Sequence, residues 1–145
     1  MLRLSKKADY ALIAMKHLAV QDPGVSSARE IAEQYSIPVE LLAKVLQRLV
    51  RRGLLSSLQG TRGGYQLAMP PAQISVADVI QAIDGPLIVT ACGAQAKVCG
   101  QFATCNVRDP LWRIRERIVE ALATCSLSEM AAESAAQAPA HFEGR

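Results

Sequence analysis

Two short helices joined by a tight turn, followed at once by a glycine-rich hairpin, restrict the fold of this chain more than any other feature. Ser27 and Glu30 are spaced as a capping box that begins one helix, and Pro38 suits the first position of the next. Gly53 fits just beyond the end of that second helix. The predicted buried stripe of the second helix consists of Leu42, Val45, Leu46 and Leu49. The pattern predicts a helix-turn-helix, the motif that places its second helix in the major groove of DNA.

The hairpin is predicted to form a wing beside this motif. Residues 54–58 and 65–67 are the two strands, and Gln59-Gly60-Thr61-Arg62-Gly63-Gly64 is the turn between them. Glycines on both sides of Arg62 allow the backbone to approach DNA closely and let the guanidinium enter a minor groove or contact a phosphate. The alternative is an ordinary hairpin with a solvated arginine. The position of the hairpin directly after a helix-turn-helix favours the wing.

Four further helices are expected. The first runs from Ser5 to about Val20, and another is capped by Ser75 and ends near Ile83. A long helix begins at Asp109-Pro110, and a short alanine-rich helix follows Ser126. The predicted fold class is therefore mainly α: a winged helix-turn-helix with a small β-hairpin wing and a long C-terminal dimerisation helix. The predicted units are a DNA-binding domain at 1–86, a cysteine-containing sensor loop at 87–109, the dimerisation and terminal helices at 110–136, and a disordered tail at 137–145.

The long helix carries the signal for a homodimer. Its predicted apolar stripe consists of Leu111, Ile114, Ile118 and Leu122, with charged residues on the other side. A stripe without an obvious partner inside the chain favours pairing with the same helix of a second subunit. Packing back onto the DNA-binding domain is the alternative.

Charge is unevenly distributed along the chain. Residues 1–66 carry ten Lys or Arg against five Asp or Glu, whereas residues 67–145 carry six against eight. A basic first half suits a protein that binds a polyanion such as double-stranded DNA. No cleaved signal is expected, because Lys16 and His17 interrupt the first apolar run, and no membrane span is expected either. We therefore expect a cytoplasmic protein in a reducing environment.

Three of the four cysteines, Cys92, Cys99 and Cys105, lie within fourteen residues. In a reducing compartment, clustered cysteines bind metals or sense redox state more often than they form structural disulfides. The spacing differs from that of zinc knuckles and no His stands nearby, so structural zinc is disfavoured. The spacing also differs from ferredoxin cluster motifs, so the pattern alone does not single out an iron-sulfur site. Three packed thiols are the alternative. Cys125, at a helix end with apolar neighbours, is expected to be a packed thiol.

Several motifs occur together in a recognisable order. They are Leu-Arg-Leu-Ser-Lys-Lys-Ala-Asp-Tyr-Ala-Leu at the start, the wing Gly-Thr-Arg-Gly-Gly-Tyr, the segment Asp-Val-Ile-Gln-Ala-Ile-Asp-Gly-Pro, the three cysteines and the Leu-Trp helix. From Met1 to about Met130 the chain resembles the winged-helix regulator family of the iron-sulfur regulator IscR and the nitric-oxide sensor NsrR. The resemblance implies a homodimeric transcription regulator whose cysteines hold an iron-sulfur cluster, 2Fe-2S rather than 4Fe-4S. Within the family the chain is most similar to regulators of iron-sulfur cluster assembly operons.

The resemblance also suggests a fourth ligand. Arg108 stands where the assembly regulator has a ligating histidine, whereas Asp9 matches the aspartate that the nitric-oxide sensor supplies from the first helix of the partner subunit. The predicted ligand set is Cys92, Cys99, Cys105 and the Asp9 of the partner subunit. A carboxylate that merely stabilises the start of its helix is the alternative for Asp9.

The predicted DNA contacts fall into three groups. Arg3, Ser27 and Arg29 are expected to bind phosphates, and Glu40, Lys44 and Gln47 to face base edges, with Arg48 on the same outer face. Gln59, Thr61 and Arg62 are expected to bind through the wing. Ala43 and Gln59 replace an acid and an arginine that take part in operator recognition in the assembly regulator, so its operator sequence does not carry over.

The predicted function is a non-enzymatic, DNA-binding regulator that senses iron-sulfur cluster status. A cluster-free repressor that responds to thiol oxidation or nitric oxide is the alternative. A redox enzyme is disfavoured, because neither a nucleotide-binding glycine motif nor a Cys-x-x-Cys pair occurs. A protein-binding adaptor built on a winged helix is a third possibility.

Overall fold

A computed structural model describes residues 3–87 and 100–136, with side chains described as far as residue 133. The helices are α1 (Lys6–Val20), α2 (Ala28–Tyr35), α3 (Val39–Arg51), α4 (Val76–Asp84), α5 (Arg108–Thr124) and α6 (Leu127–Ala136). The strands are β1 (Leu55–Leu58) and β2 (Gly64–Leu67), and a single 3-10 turn spans Pro71–Gln73. The mainly helical fold with a two-stranded hairpin is as predicted.

The first helix lies at the centre of the core. It packs against α3, α4, α6 and β2. Ala8, Ala11 and Ala14 are fully buried, and their small side chains let the surrounding elements approach closely. At the start of α1, Ser5 Oγ accepts from Ala8 N, while the backbone N and hydroxyl of Ser5 both donate to the Asp84 carboxylate at the end of α4. One capping serine therefore also joins the first helix to the fourth.

The turn between α2 and α3 is fixed by its backbone. Ser36 adopts a left-handed conformation with φ of 55°, and Ile37 N donates to Ala32 O at 2.9 Å. Such a bond satisfies a carbonyl that the end of a helix would otherwise leave free. The α3 helix begins at Val39, one residue later than predicted, because Pro38 retains an extended ψ of 123°. The predicted apolar stripe of α3 is buried.

The wing is attached to the helix-turn-helix through backbone pairing. In the antiparallel hairpin Leu55 pairs with Leu67 and Leu58 with Gly64. Ser26, just before α2, forms an antiparallel bridge with Tyr65 of β2. Ser26 N donates to Tyr65 O at 3.0 Å, and Ser26 O accepts from Tyr65 N at 2.8 Å. The start of α2 and the second strand of the wing therefore move as one unit.

A buried network of hydrogen bonds lies next to the junction between the start of α2 and β2. His17 is only 6% exposed, with Nδ1 2.9 Å from Tyr35 Oη and Nε2 3.2 Å from Ser26 Oγ. The Ser26 hydroxyl donates to Gln21 Oε1 at 2.8 Å. Burial lowers the pKa of His17, an effect that the Glu30 carboxylate partly opposes. A neutral imidazole thus links α1, α2 and the residue that pairs with the wing.

The C-terminal helices are tied to the start of α4. Val76 N donates to Cys125 O, and Leu127 N donates to Ile74 O, both at 2.9 Å. Leu127 is fully buried in the core, and α6 packs against α1 and the 3-10 turn. The division of the chain into the four predicted units stays a prediction. None of the helices in the described ranges is long and apolar enough to cross a membrane.

Gly64 provides a test of the wing attachment. A Cβ at this position would lie 2.5 Å from Ser26 O and 2.9 Å from Ser27 N, so Gly64→Ala must separate β2 from the start of α2. We expect a loss of about 1–3 kcal/mol in the free energy of unfolding, measured by urea denaturation. Gly100→Ala is the control, because a Cβ there meets no atom within 4 Å. Equal stability of the two variants would contradict the close approach.

Candidate functional site

One exposed face of α3 presents a row of polar side chains. Glu40, Lys44, Gln47 and Arg51 follow one another at helical spacing and are all exposed. Ala43, Lys44, Gln47 and Arg51 line a shallow groove of about 290 Å³. Arg51 was absent from the predicted set, although the spacing of the first three members leads directly to it. A helix with cationic and amide donors along one face can bind both phosphates and base edges.

A side-chain hydrogen bond fixes the wing relative to this face. Gln47 Nε2 donates to Tyr65 Oη at 2.7 Å. The same tyrosine pairs through its backbone with Ser26, so it joins α3, β2 and the start of α2. Tyr65 was not identified from the sequence, because nothing local distinguishes it from an ordinary strand residue. The bond also occupies one donor of a side chain that was predicted to read bases.

Arg48 is exposed at the edge of this row and also contacts α4. Its Nε donates to Ala82 O at the end of α4, with a separation of 3.0 Å. The guanidinium therefore stabilises the packing of α3 against α4 and also satisfies a carbonyl in the last turn of a helix. Arg48 nevertheless remains next to Lys44, with which it lines a small pocket.

The remaining predicted DNA contacts lie on exposed parts of the same domain. Gln59, Thr61 and Arg62 are exposed at the tip of the wing. Arg29 is exposed in the first turn of α2, and Arg3 is exposed before α1. The Ser27 side chain is part of the capping box, since its Oγ accepts from Glu30 N at 3.1 Å. Its hydroxyl hydrogen remains available to an external acceptor.

The cysteine segment lies largely outside the described residues, and with it Cys92 and Cys99. Cys105 is described as a free, half-buried thiol in the turn before α5. Within the described ranges no group of three or more candidate metal ligands comes together. Asp9 is half-buried on α1, and its carboxylate forms neither a hydrogen bond nor an ion pair with the described part of the chain.

Two arginines of α5 bind the chain at Leu87, before the first of the three cysteines, and at Phe102, between Cys99 and Cys105. Arg115 Nε donates to Leu87 O at 3.0 Å. Arg108 Nη1 donates to Phe102 O at 2.9 Å, and its guanidinium stacks on the Phe102 ring at 4.2 Å from the centroid. Arg108 also pairs with Asp109. The seven-residue separation of the two arginines places these ties about 10 Å apart along α5.

Cys125 is set apart from the other cysteines by its surroundings. It is half-buried, and burial raises the pKa of its thiol, with the carboxylates of Glu129 and Glu133 acting in the same direction. A thiol that remains protonated is a poor nucleophile and a poor metal ligand. These surroundings fit the packed thiol expected from the sequence.

A helix-turn-helix with an attached wing, together with the sequence of residues 4–133, decides the family. Those residues match the profile of the family described as Rrf2, iron-dependent transcriptional regulator. The chain belongs to the Rrf2 family. It is therefore a DNA-binding transcriptional regulator and not an enzyme.

Relatives within the Rrf2 family include regulators of more than one kind. The HTH-type transcriptional regulator IscR of Xenorhabdus nematophila is 35% identical over 131 residues, which cover 89% of this chain and 79% of that protein. The solved structure of T. potens IscR matches with a TM-score of 0.74 at 28% identity, covering 97% of this chain and 95% of that one. CymR, the global cysteine regulator of B. subtilis, matches with a TM-score of 0.74 at 29% identity, covering 92% and 98% respectively.

Tyr65→Phe tests whether the bond to Gln47 positions the Rrf2 wing for DNA. Loss of one hydrogen bond worth about 0.5–1.5 kcal/mol should weaken binding by about twofold to tenfold. The measurement is fluorescence anisotropy with a duplex that the wild type has selected from a random-sequence pool. Tyr10→Phe is the control, because Tyr10 makes its described polar contact through the ring face, with Lys6 Nζ 5.5 Å from the centroid. If Tyr65→Phe bound DNA with unchanged affinity, the bond between Tyr65 and Gln47 would not contribute to DNA recognition.

Proposed function

We propose that this chain is a homodimeric Rrf2 regulator that binds an operator and responds to the state of an iron-sulfur cluster, thereby controlling genes of cluster assembly. The observation that carries the proposal is the pair of α5 arginines. Arg115 and Arg108 tie two points of the chain to a single helix: Leu87, before the first cysteine, and Phe102, between Cys99 and Cys105. A change in that segment therefore acts directly on α5.

The proposed ligands are Cys92, Cys99 and Cys105, with Asp9 of the partner subunit as the fourth. Thiolates favour iron-sulfur clusters, and the match of Asp9 to the aspartate that the nitric-oxide sensor supplies from its partner subunit supports a shared ligand. When bound, such a cluster supplies a centre that is lost on oxidation, on reaction with nitric oxide or when iron is scarce. The chain contributes the anchors: Arg108 keeps the turn around Cys105 against α5, and Arg115 fixes the chain at Leu87.

Signal transfer would pass from α5 to the DNA-binding face through packing. The α5 helix contacts α4, and α4 contacts α1 and α3. Arg48 adds a direct bond from α3 to the last turn of α4. In a dimer, a shift of α5 would change the separation of the two α3 helices, which must match the spacing of the operator half-sites.

Dimerisation is supported by the exposed side of α5. None of its residues is fully buried, and Ile114 of the predicted apolar stripe is 46% exposed. Leu111, Ile118 and Leu122 are half-buried. Large apolar side chains exposed on a long helix favour an interface with a second copy.

Ile114→Glu should convert the dimer to a monomer, because it introduces a carboxylate into this apolar surface. Size-exclusion chromatography with light scattering measures the mass directly. Arg113→Glu is the matched control, since it introduces the same carboxylate at an exposed position that is charged already. A dimer that persists in Ile114→Glu would place the interface elsewhere.

Cluster binding is tested on protein purified without oxygen, by its ultraviolet-visible spectrum and by assays of iron and sulfide. We expect a coloured wild type with matched iron and sulfide, a colourless but folded Cys99→Ala dimer, and a Cys125→Ala variant that keeps its colour. Circular dichroism checks the fold. Colour retained in Cys99→Ala would contradict the ligand set.

The second candidate is a cluster-free thiol switch. It is favoured by the likeness to CymR, including an oxidised form of the Staphylococcus aureus protein that matches with a TM-score of 0.70 at 28% identity. In this mechanism two cysteines form a reversible disulfide. A wild type that stays colourless after reconstitution and forms a peroxide-induced disulfide would favour this mechanism over the cluster.

A further inference from the structure

A small cationic pocket lies where α1, α3 and α4 meet. Its volume is about 100 Å³, and it is lined by Lys7, Leu41, Lys44, Val45, Arg48 and Ile83. The lining thus contains three cations and no carboxylate. Small-molecule sites usually enclose about 300–1,000 Å³, so this pocket suits a compact anionic group better than a metabolite.

The three cations are available to an external anion. None of them forms an ion pair with a carboxylate within residues 3–87 and 100–133. Asp84, which follows Ile83, accepts two hydrogen bonds from Ser5 and does not line the pocket. The bond from Arg48 Nε to Ala82 O holds the guanidinium in place and leaves its terminal N–H groups free.

The apolar part of the lining strengthens the attraction. Leu41, Val45 and Ile83 form a floor of low polarity beneath the charges. Coulombic attraction is stronger beside such a surface than in bulk water. An anion that enters the pocket therefore gains more than it would from three solvated side chains.

The location of the pocket identifies the anion. Lys44 lines both this pocket and the groove that it shares with Gln47 and Arg51. When a recognition helix enters the major groove, the sugar-phosphate backbone passes along the flanks of that helix. The pocket is therefore placed to meet a backbone phosphate while the adjoining groove faces the bases.

We propose that Lys7, Lys44 and Arg48 bind one backbone phosphate of duplex DNA, so that α1 contributes a phosphate contact beside the recognition helix. Lys7 is the residue that completes the site. This inference rests on the DNA-binding function of the family and adds a contact that the sequence patterns did not indicate. Because phosphates carry no sequence information, the contact positions the protein without selecting an operator.

The test is the salt dependence of binding to a duplex of arbitrary sequence, measured by fluorescence anisotropy from about 50 to 200 mM salt. Lys7→Gln should lower affinity severalfold at low salt and reduce the slope of log K against log salt by about 0.9, the loss of one phosphate contact. The advantage of the wild type should then shrink about threefold to fourfold across that salt range. A second, unrelated duplex should give the same loss.

Lys16→Gln is the matched control, because it removes the same charge from the same helix. Lys16 lines a different pocket, together with His17 and Tyr35. Lys7→Arg should retain the wild-type slope. Equal slopes in Lys7→Gln and Lys16→Gln would overturn the phosphate site while leaving DNA binding intact. A wild type that binds no duplex at low salt would overturn both the site and the function on which it rests.

Discussion

Close packing around α1 is the constraint on which the other elements depend. Its fully buried alanines allow α3, α4 and α6 to surround one helix, so each of them takes its orientation from the same axis. A larger side chain at Ala11 or Ala14 would overpack the core around α1 and destabilise the fold. The orientation of the DNA-binding surface therefore depends on the packing of the core. The face of α3 is presented correctly only because its opposite side is locked against α1.

Polar contacts then join the elements that packing alone would leave free to slide. Ser5 links α1 to Asp84, Arg48 links α3 to α4, and Tyr65 connects the wing to both helices of the motif. Each contact spans two or more elements. The DNA-binding head and α5 are therefore mechanically coupled through α4, which touches both. This continuity connects α5, on which the proposed sensing acts, with the exposed polar face of α3.

Much of this fold could be read from the sequence because its signals are local. These signals are the capping serines, the apolar stripe of α3 and the glycines of the hairpin, and each influences only residues a few positions away. They predicted the limits of the helices and strands to within about a residue. The burial of Leu127 could not be foreseen, since it depends on a backbone bond to the distant Ile74. The exposed polar face of α3 could be predicted from the helical spacing of its residues. The contacts of Gln47 with Tyr65 and of Arg48 with Ala82 did not, because each partner is supplied by the tertiary fold.

The anchors at Leu87 and Phe102 have a consequence for how such a protein can diversify. Chain between two fixed points can change in length at small entropic cost, since doubling a loop costs only about 0.6 kcal/mol. The contacts of α5 with Leu87, Phe102 and α4 do not depend on which residues stand at positions 92 and 99. Under the proposed function, the sensory chemistry at those positions can therefore diverge between relatives while the DNA-binding face is kept.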